Sequence, residues 1–415
     1  MTPPTWGEMT AVFGRIGLLS FGGPAAQIAL MHRELVENRP WLTEGSYLRA
    51  LSLCMLLPGP EAMQLATYAG WRLRGRLGGL LAGGLFVVPG AVVIALLAIG
   101  YIHFGQVPLV QAAFLGIKAA VIVVVVQALR KVAGKSLRGP SDWSLAALSL
   151  AGLFVLGLPF PLIIVMAGLW GFANARGAQG AVDGAPARAA HGVSTLLIWG
   201  SLWATPLAVL WALDQTFLLT LGLFFSKLAV VTFGGAYAVL AYMTQTVVQD
   251  YGWIDTDQMI DALGLAETTP GPLILVTQFV AMLAGFAQTG LPGALAAGLL
   301  ALWVTFTPCF LWIFLAGPHL DRIAGQPRLA GALQAITAAV VGVIANLSVW
   351  FALHVFFDTL RTGDVLALPL PVWSSFNLEA LLLTGFGAVL MVWRGWGFAP
   401  TMAALALVAA GLSRL

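Results

Sequence analysis

Four helix-breaking tripeptides inside apolar sequence constrain this chain more than any other feature. Phe21-Gly22-Gly23 and Pro58-Gly59-Pro60 recur as Phe233-Gly234-Gly235 and Pro270-Gly271-Pro272, all at one offset of 212 residues. The same offset carries Trp41 onto Trp253, Arg15 onto Lys227 and Ser20 onto Thr232, so a cation and a hydroxyl precede each Gly pair. Glycine and proline interrupt helices, and an interruption in an apolar setting strands backbone N–H and C=O groups that water cannot reach. Any fold of this chain must supply partners for those groups.

The setting is apolar because 60% of the 415 residues are hydrophobic and only 9% are charged. With apolar runs of about twenty residues, that composition marks an all-α polytopic membrane protein embedded in a lipid bilayer. No cleavable signal is expected, since Met1 to Gly14 contains Glu8 and lacks a basic start followed by an apolar run. Cys54 and Cys309 stand in apolar sequence without metal-ligand spacing and read as packing residues. His32, His103, His191, His319 and His354 are scattered and form no ligand pair, so neither metal nor cofactor is expected. A net charge of +3 gives no reason to expect nucleic acid as a partner.

In chain order, the first element, 4–36, is broken near Gly22 to Pro24 into pieces too short to cross a core of about 30 Å. A polar stretch with Trp41 leads to a second split pair, 45–57 and 61–71, hinged at Pro58-Gly59-Pro60. Both breaks read as tips of re-entrant hairpins. Spans follow at 77–103, 109–130, 143–158 and 160–175, then a Gly/Ala-rich linker at 177–192 containing Asp183, Pro186 and Arg188, and an additional span at 194–213. The second copy repeats the order: a broken element 216–249, a split pair 257–285, and spans at 290–316, 329–356, 377–393 and 397–412. An offset of 219 then matches Pro89 to Pro308 and Gln127 to Asn346, so seven residues are inserted within the second copy. The expected organisation is a first repeat, 1–176, a linker with one extra helix, 177–214, and a second repeat, 215–415.

Charge gives the repeats their orientation. If the halves are inverted, the segments 32–49, 72–76, 130–138, 176–191, 319–328 and 394 face one side and hold 15 of the 20 Lys and Arg residues. The other side keeps Arg361, Arg414 and an acidic loop with Asp250, Asp255 and Asp257. The positive-inside rule makes the basic side cytoplasmic. Inverted repeats with re-entrant pairs are typical of secondary transporters.

Arg15, Lys118 and Lys227 remain inside apolar sequence, where charge is expensive and usually faces a cavity or a partner. Each break also exposes the positive dipole end and free N–H groups of the helix that follows it. Four such ends near the midplane, with Arg15 and Lys227 before the Gly pairs and Ser20 and Thr232 beside them, form an expected oxyanion cradle. Snorkelling to the headgroups is the alternative role of Arg15 and Lys227. Lys118 has no basic counterpart, because the 219 offset gives Thr337. Glu61 and Glu267 flank the Pro-Gly-Pro tips at non-equivalent positions and are candidates for carrying a coupling proton or capping a half-helix. Gln64, Thr67, Thr277 and Gln278 either line the same space or join helices by hydrogen bonds.

At these residues the chain resembles the chromate ion transporter family in its long, two-domain form. Phe21-Gly22-Gly23-Pro24-Ala25-Ala26, Trp41-Leu42 and Leu57-Pro58-Gly59-Pro60 look like the family's amino-terminal signature, and the likeness covers 10–135 and 220–355 best. It implies a bacterial inner-membrane exporter of chromate, with sulfate as a related or competing oxyanion and alternating access around the shared site. Two positions depart from the pattern: Ala236 stands where the first half has Pro24, and Glu61 where many members have a small or amide residue. A homodimer is admitted as an assembly. The rival readings are a membrane-embedded lipid phosphatase or pyrophosphatase, for which no compact His or Ser motif is present, and a passive anion channel.

Overall fold

The computed structural model describes residues 3–175, 192–233, 236–320, 323, 326–362 and 369–412. The linker expected at 177–192 lies outside them except for Gly192, as do His191, Gly234, Gly235, Arg322 and Arg414. The described chain is helical apart from a two-stranded antiparallel hairpin, β1 (Leu360–Thr362) with β2 (Pro369–Pro371). Among the described residues, five helices are long and apolar enough to cross a membrane: Glu61–Phe104, Pro108–Ser136, Gly192–Ala212, Leu291–His319 and Pro327–Phe356.

The breaks fall where the sequence puts them. Helix α1 (Trp6–Leu19) is opened by a reciprocal cap in which Thr5 Oγ1 accepts from Glu8 N and the Glu8 carboxylate accepts from Thr5 N. After Gly22 the chain resumes as α2 (Gly23–His32), which widens into a π-helical turn at Arg33–Glu37. Helix α3 (Glu44–Leu56) precedes the first Pro-Gly-Pro, and α4 (Glu61–Phe104) follows it. At 14, 10 and 13 residues, α1 to α3 are each about 15–21 Å long, too short to span a bilayer core. Then come α5 (Pro108–Ser136), α6 (Pro140–Phe154), α7 (Phe160–Asn174), α8 (Gly192–Ala212), α9 (Thr216–Val231), α10 (Ala236–Thr244), α11 (Thr256–Thr268), α12 (Val276–Thr289), α13 (Leu291–Ala316), α14 (Pro327–Phe356), α15 (Leu378–Ala388) and α16 (Phe398–Leu412).

Local structure repeats along with the sequence. A second π-helical turn, Gln245–Asp250, follows α10 as Arg33–Glu37 follows α2. Trp41 N donates to Leu35 O at 3.1 Å, and Trp253 N to Val247 O at 3.0 Å. Within α4 the helix bends at Arg74 and Gly75, where Gly75 has φ 64° and ψ −159°. Its counterpart is Gly290, between α12 and α13, with φ 70° and ψ −153°. Beyond each bend the two arms touch without side chains between them: a Cβ on Gly70 would stand 2.2 Å from Gly78 O, and one on Gly285 2.3 Å from Gly293 O. These pairs are 215 residues apart, so three of the seven inserted residues precede them. They are the 3-10 turn Leu273–Leu275, placed between Pro272 and α12 where α4 starts directly after Pro60. The other four, about one helical turn, lie in α13 before Pro308.

The chain forms two compact units, each drawing on both halves of the sequence. One comprises Met1–Ala98, Asn174–Ala236 and Thr269–Gly331; the other comprises Ile99–Ala173, Tyr237–Thr268 and Ala332–Leu415. The first holds the described parts of all four breaks, with Gly83 and Gly90 bringing the α4 backbone against Thr67 and Pro270. In the second, α5 packs on α15 and α16 around Ala119, Ala120, Leu383, Leu405 and Ala409. A Cβ on Gly116 would meet the Leu405 backbone at 2.4 Å, so the α5–α16 contact depends on its absence.

Candidate functional site

Each Phe-Gly-Gly break is prepared by the residue before it. Ser20 Oγ donates to Ile16 O at 2.5 Å and Thr232 Oγ1 to Leu228 O at 2.5 Å, so both hydroxyl hydrogens close the preceding helix. Phe21 N and Phe233 N then turn back to Leu19 O and Val231 O. Gly22 and Gly23 take φ of 84° and 79°, and Gly59 and Gly271 take 118° and 90°, a region open to glycine at little cost.

The stranded backbone groups find their partners crosswise. Gly59 N, in the first Pro-Gly-Pro, donates to Thr232 O at 2.9 Å, beside the second Phe-Gly-Gly. Gly271 N, in the second Pro-Gly-Pro, donates to Ser20 O at 3.0 Å, beside the first. One offset of 212 relates both donors and both acceptors, so the two bonds are one contact made twice. Glutamines complete the closure. Gln27 Nε2 donates to Gly271 O at 2.7 Å and to Ser20 O at 3.2 Å, and Gln64 Nε2 donates to Pro58 O at 2.6 Å. Gln278 Nε2 donates to Ala91 O at 3.1 Å, two residues beyond Pro89 in α4.

The four tips enclose a crevice within this unit. Pro24, Pro60, Ala236 and Pro272 line it together with Gln27 and Glu61, the one carboxylate among the lining residues. Helices α2, α4 and α10 begin at its wall, and α12 follows through the 3-10 turn. Helix starts present N–H groups without intrahelical acceptors together with positive dipole ends, the backbone chemistry that suits an anion. The free volume is about 10 Å³, which is room for about one water.

The cations stand elsewhere. Arg15 is 62% exposed on α1, with Nη1 4.0 Å from Oε1 of the buried Glu34, which also pairs with Arg39 at 2.6 Å. Lys227 is exposed on α9. Phe21 is 46% exposed, while Phe233 is half-buried. Two expected residues belong to the second unit: Lys118 of α5 pairs with Asp257, and Glu267 of α11 accepts from Tyr237 Oη at 2.5 Å. Of the polar candidates near the tips, Gln64 holds a freed carbonyl, whereas Thr67 and Thr277 bond within their own helical segments. Gln27 was not legible as a site residue. It has no repeat partner, since the offset gives Val239, and the one signal was an amide three residues after Pro24 in an otherwise apolar run.

Similarity to known proteins follows the same two blocks. The family model described as chromate transporter matches residues 7–172 and 219–412. A chromate transport protein of Cupriavidus metallidurans is 31% identical over 368 residues, 86% of each chain. One from Pseudomonas aeruginosa is 31% identical over 84% of this chain and 81% of its own. An uncharacterised transporter of Methanocaldococcus jannaschii is 27% identical over 89% of this chain and 90% of its own. No solved structure matches.

Proposed function

The chain belongs to the chromate transporter family, and from that premise we propose that it carries chromate, with sulfate as a related oxyanion, out of the cytoplasm by alternating access. The family and the apolar helices make it a multi-pass transporter of the bacterial inner membrane rather than an enzyme. The observation that carries the proposal is the crevice in which Pro24, Pro60, Ala236 and Pro272 bring helix starts together. A tetrahedral dianion offers four acceptor oxygens to such N–H groups. Phe21, Gly22, Gly23, Pro58, Gly59 and Pro60, with Phe233, Gly234, Gly235, Pro270, Gly271 and Pro272, are its expected contacts.

A volume of about 10 Å³ admits no oxyanion, so binding requires the tips to part. The movement would rock one inverted repeat, in 1–176, against the other, in 215–415, breaking and remaking the crosswise bonds. Arg15, Lys227 and Lys118 supply positive potential along the route, while Ser20 and Thr232 offer backbone carbonyls to the closed state and hydroxyls to the open one. Glu61 opposes a dianion unless it takes up a proton, which makes it, with Glu267, a carboxylate for proton antiport. Export needs no elaborate motor: at about 100 mV, interior negative, each charge is worth about 2.3 kcal/mol, so a dianion leaving gains roughly 4.6 kcal/mol.

The test is uptake of labelled chromate by inside-out vesicles and proteoliposomes under an imposed potential, with and without a pH gradient. Concentrative uptake that Arg15→Ala reduces at least tenfold is the expected result. Dissipation to equilibrium without accumulation would indicate a passive channel, and wild-type rates in Arg15→Ala would remove that residue from the route.

A further inference from the structure

The second unit holds a buried carboxylate that the oxyanion crevice does not use. Helix α11 is enclosed on all sides from Met259 to Ala266, and Asp261 lies in the middle of that stretch at 4% exposure. Its Oδ2 accepts from Tyr101 Oη at 2.8 Å, while its Oδ1 is buried with no hydrogen-bond partner. Tyr101 is held by an edge-on contact with Phe114, ring centroids 5.2 Å apart. One turn earlier on the same face Asp257 pairs with Lys118, and Gly264 packs on Ile117 and Val121, so α5 lies along this face of α11.

The charges in this cluster do not balance. Among the described residues, Asp257 and Asp261 share one cation, Lys118, which pairs with Asp257. Asp257, Asp261 and Lys118 together are one positive charge short, inside a segment where uncompensated charge is costly. Among the described residues, Tyr101 is a neutral donor, Asp255 is a further carboxylate, and α16 carries no titratable side chain. His354 of α14 lies within electrostatic range of Asp257. The cluster opens outward through Asp257, whose side chain is 72% exposed, and Asp255, which caps α11 by accepting from Gln258 N at 2.7 Å. An acidic mouth gathers cations, and the open oxygen lies about 6 Å further in.

We infer that Asp261 is a proton-binding site, filled through the Asp255–Asp257 mouth, which couples proton entry to the anion transport proposed above and rests on that reading. A proton from solvent forms one O–H bond on the free oxygen, Tyr101 continues to donate to the other, and Lys118 is left to Asp257 alone. Release returns a carboxylate that shares Lys118 with Asp257. The net charge of the three groups alternates between zero and minus one, with no redox step.

The experiment uses the full-length protein in two measurements. In proteoliposomes, chromate flux is followed under an imposed potential, with proton or sodium gradients added. The expected result is stimulation by a proton gradient that Asp261→Asn abolishes, together with a pH midpoint of flux that Tyr101→Phe, which keeps the carboxyl, displaces. In parallel, infrared difference spectra of the wild type should show a carboxylic-acid carbonyl band that appears as pH falls and is absent in Asp261→Asn. Proton stimulation surviving in Asp261→Asn, stimulation by sodium instead, an unmoved midpoint in Tyr101→Phe or a band unchanged in Asp261→Asn overturns the assignment. Absence of chromate flux in the wild type under every gradient sinks the transport reading instead, while the infrared band still reports whether Asp261 binds the proton.

Discussion

Gln27 of α2 reaches 244 residues along the chain to donate its side-chain amide to the carbonyl of Gly271, 2.7 Å away. It is buried, and the same nitrogen also serves Ser20 O at 3.2 Å. One side chain thus satisfies a carbonyl from each half.

Replacing it with an apolar residue leaves the Gly271 carbonyl without this donor, while Ser20 O keeps the N–H of Gly271. Gln27→Leu is expected to cost about 1–3 kcal/mol, the penalty for an unsatisfied buried polar group. A lowered melting temperature of the purified protein in detergent checks this. Gln111→Leu, at an exposed position bonded to Gln106, should leave melting unchanged.

Gly59 and Gly271 are expected to resist any side chain. Both take positive φ, and a Cβ on Gly59 would fall 2.9 Å from Cys309 Sγ. Gly59→Ala and Gly271→Ala should each lose about 1–3 kcal/mol. Gly84→Ala, where a Cβ meets nothing within 4 Å, is the control that should melt like wild type.

Glu61→Gln removes the negative charge from the crevice and keeps the shape. If a dianion binds there, KM for chromate should fall on the order of tenfold at neutral pH, about 1.4 kcal/mol, and depend less on pH. An unchanged KM and pH profile would exclude Glu61 from the anion's surroundings.

His32, the last residue of α2, has Nε2 2.7 Å from Glu44 Oε2 and Nδ1 3.0 Å from Glu37 Oε1. The hydrogen bond to Glu44 favours the imidazolium and raises its pKa above the ordinary 6.5. Its contribution to fastening α2 onto α3 is therefore complete below about pH 6.5 and fades as pH climbs through the raised value. An NMR titration of the ring protons should show a midpoint above 6.5 that Glu44→Gln lowers. A midpoint at or below 6.5 in the wild type would contradict it.

Much of this fold was legible because the decisive signals are local. A Gly pair with positive φ and a proline after a break act on their own neighbours, so α1, α2, α3 and α9 to α12 start and stop close to where 4–36, 45–57, 216–249 and 257–285 placed them. The period of seven extra residues was countable, but its placement, three in the Leu273–Leu275 turn, required coordinates. Pairings across hundreds of residues left no such trace. Lys118 was singled out as a cation in apolar sequence, yet nothing nearby pointed to Asp257 as its partner. Arg15 and Lys227 shared an offset, which fixes their place in each repeat but not the direction a long side chain takes; both are exposed. Asp261 escaped notice because one acid near the end of an acidic loop looks like part of that loop until its burial is seen.

The crosswise bonds have one more consequence. Gly59 gives a donor from the first half and Thr232 an acceptor from the second, while Gly271 and Ser20 exchange the same roles in reverse. Neither half can close its own break, and the atoms that close it are main-chain atoms which no substitution short of proline removes. Covalent continuity between the halves is then dispensable to the closure. Two separately synthesised polypeptides, divided between 176 and 191, contain every atom the exchange needs and should find each other in the membrane, whereas in either fragment alone the N–H of the Pro-Gly-Pro glycine lacks the carbonyl that accepts from it here.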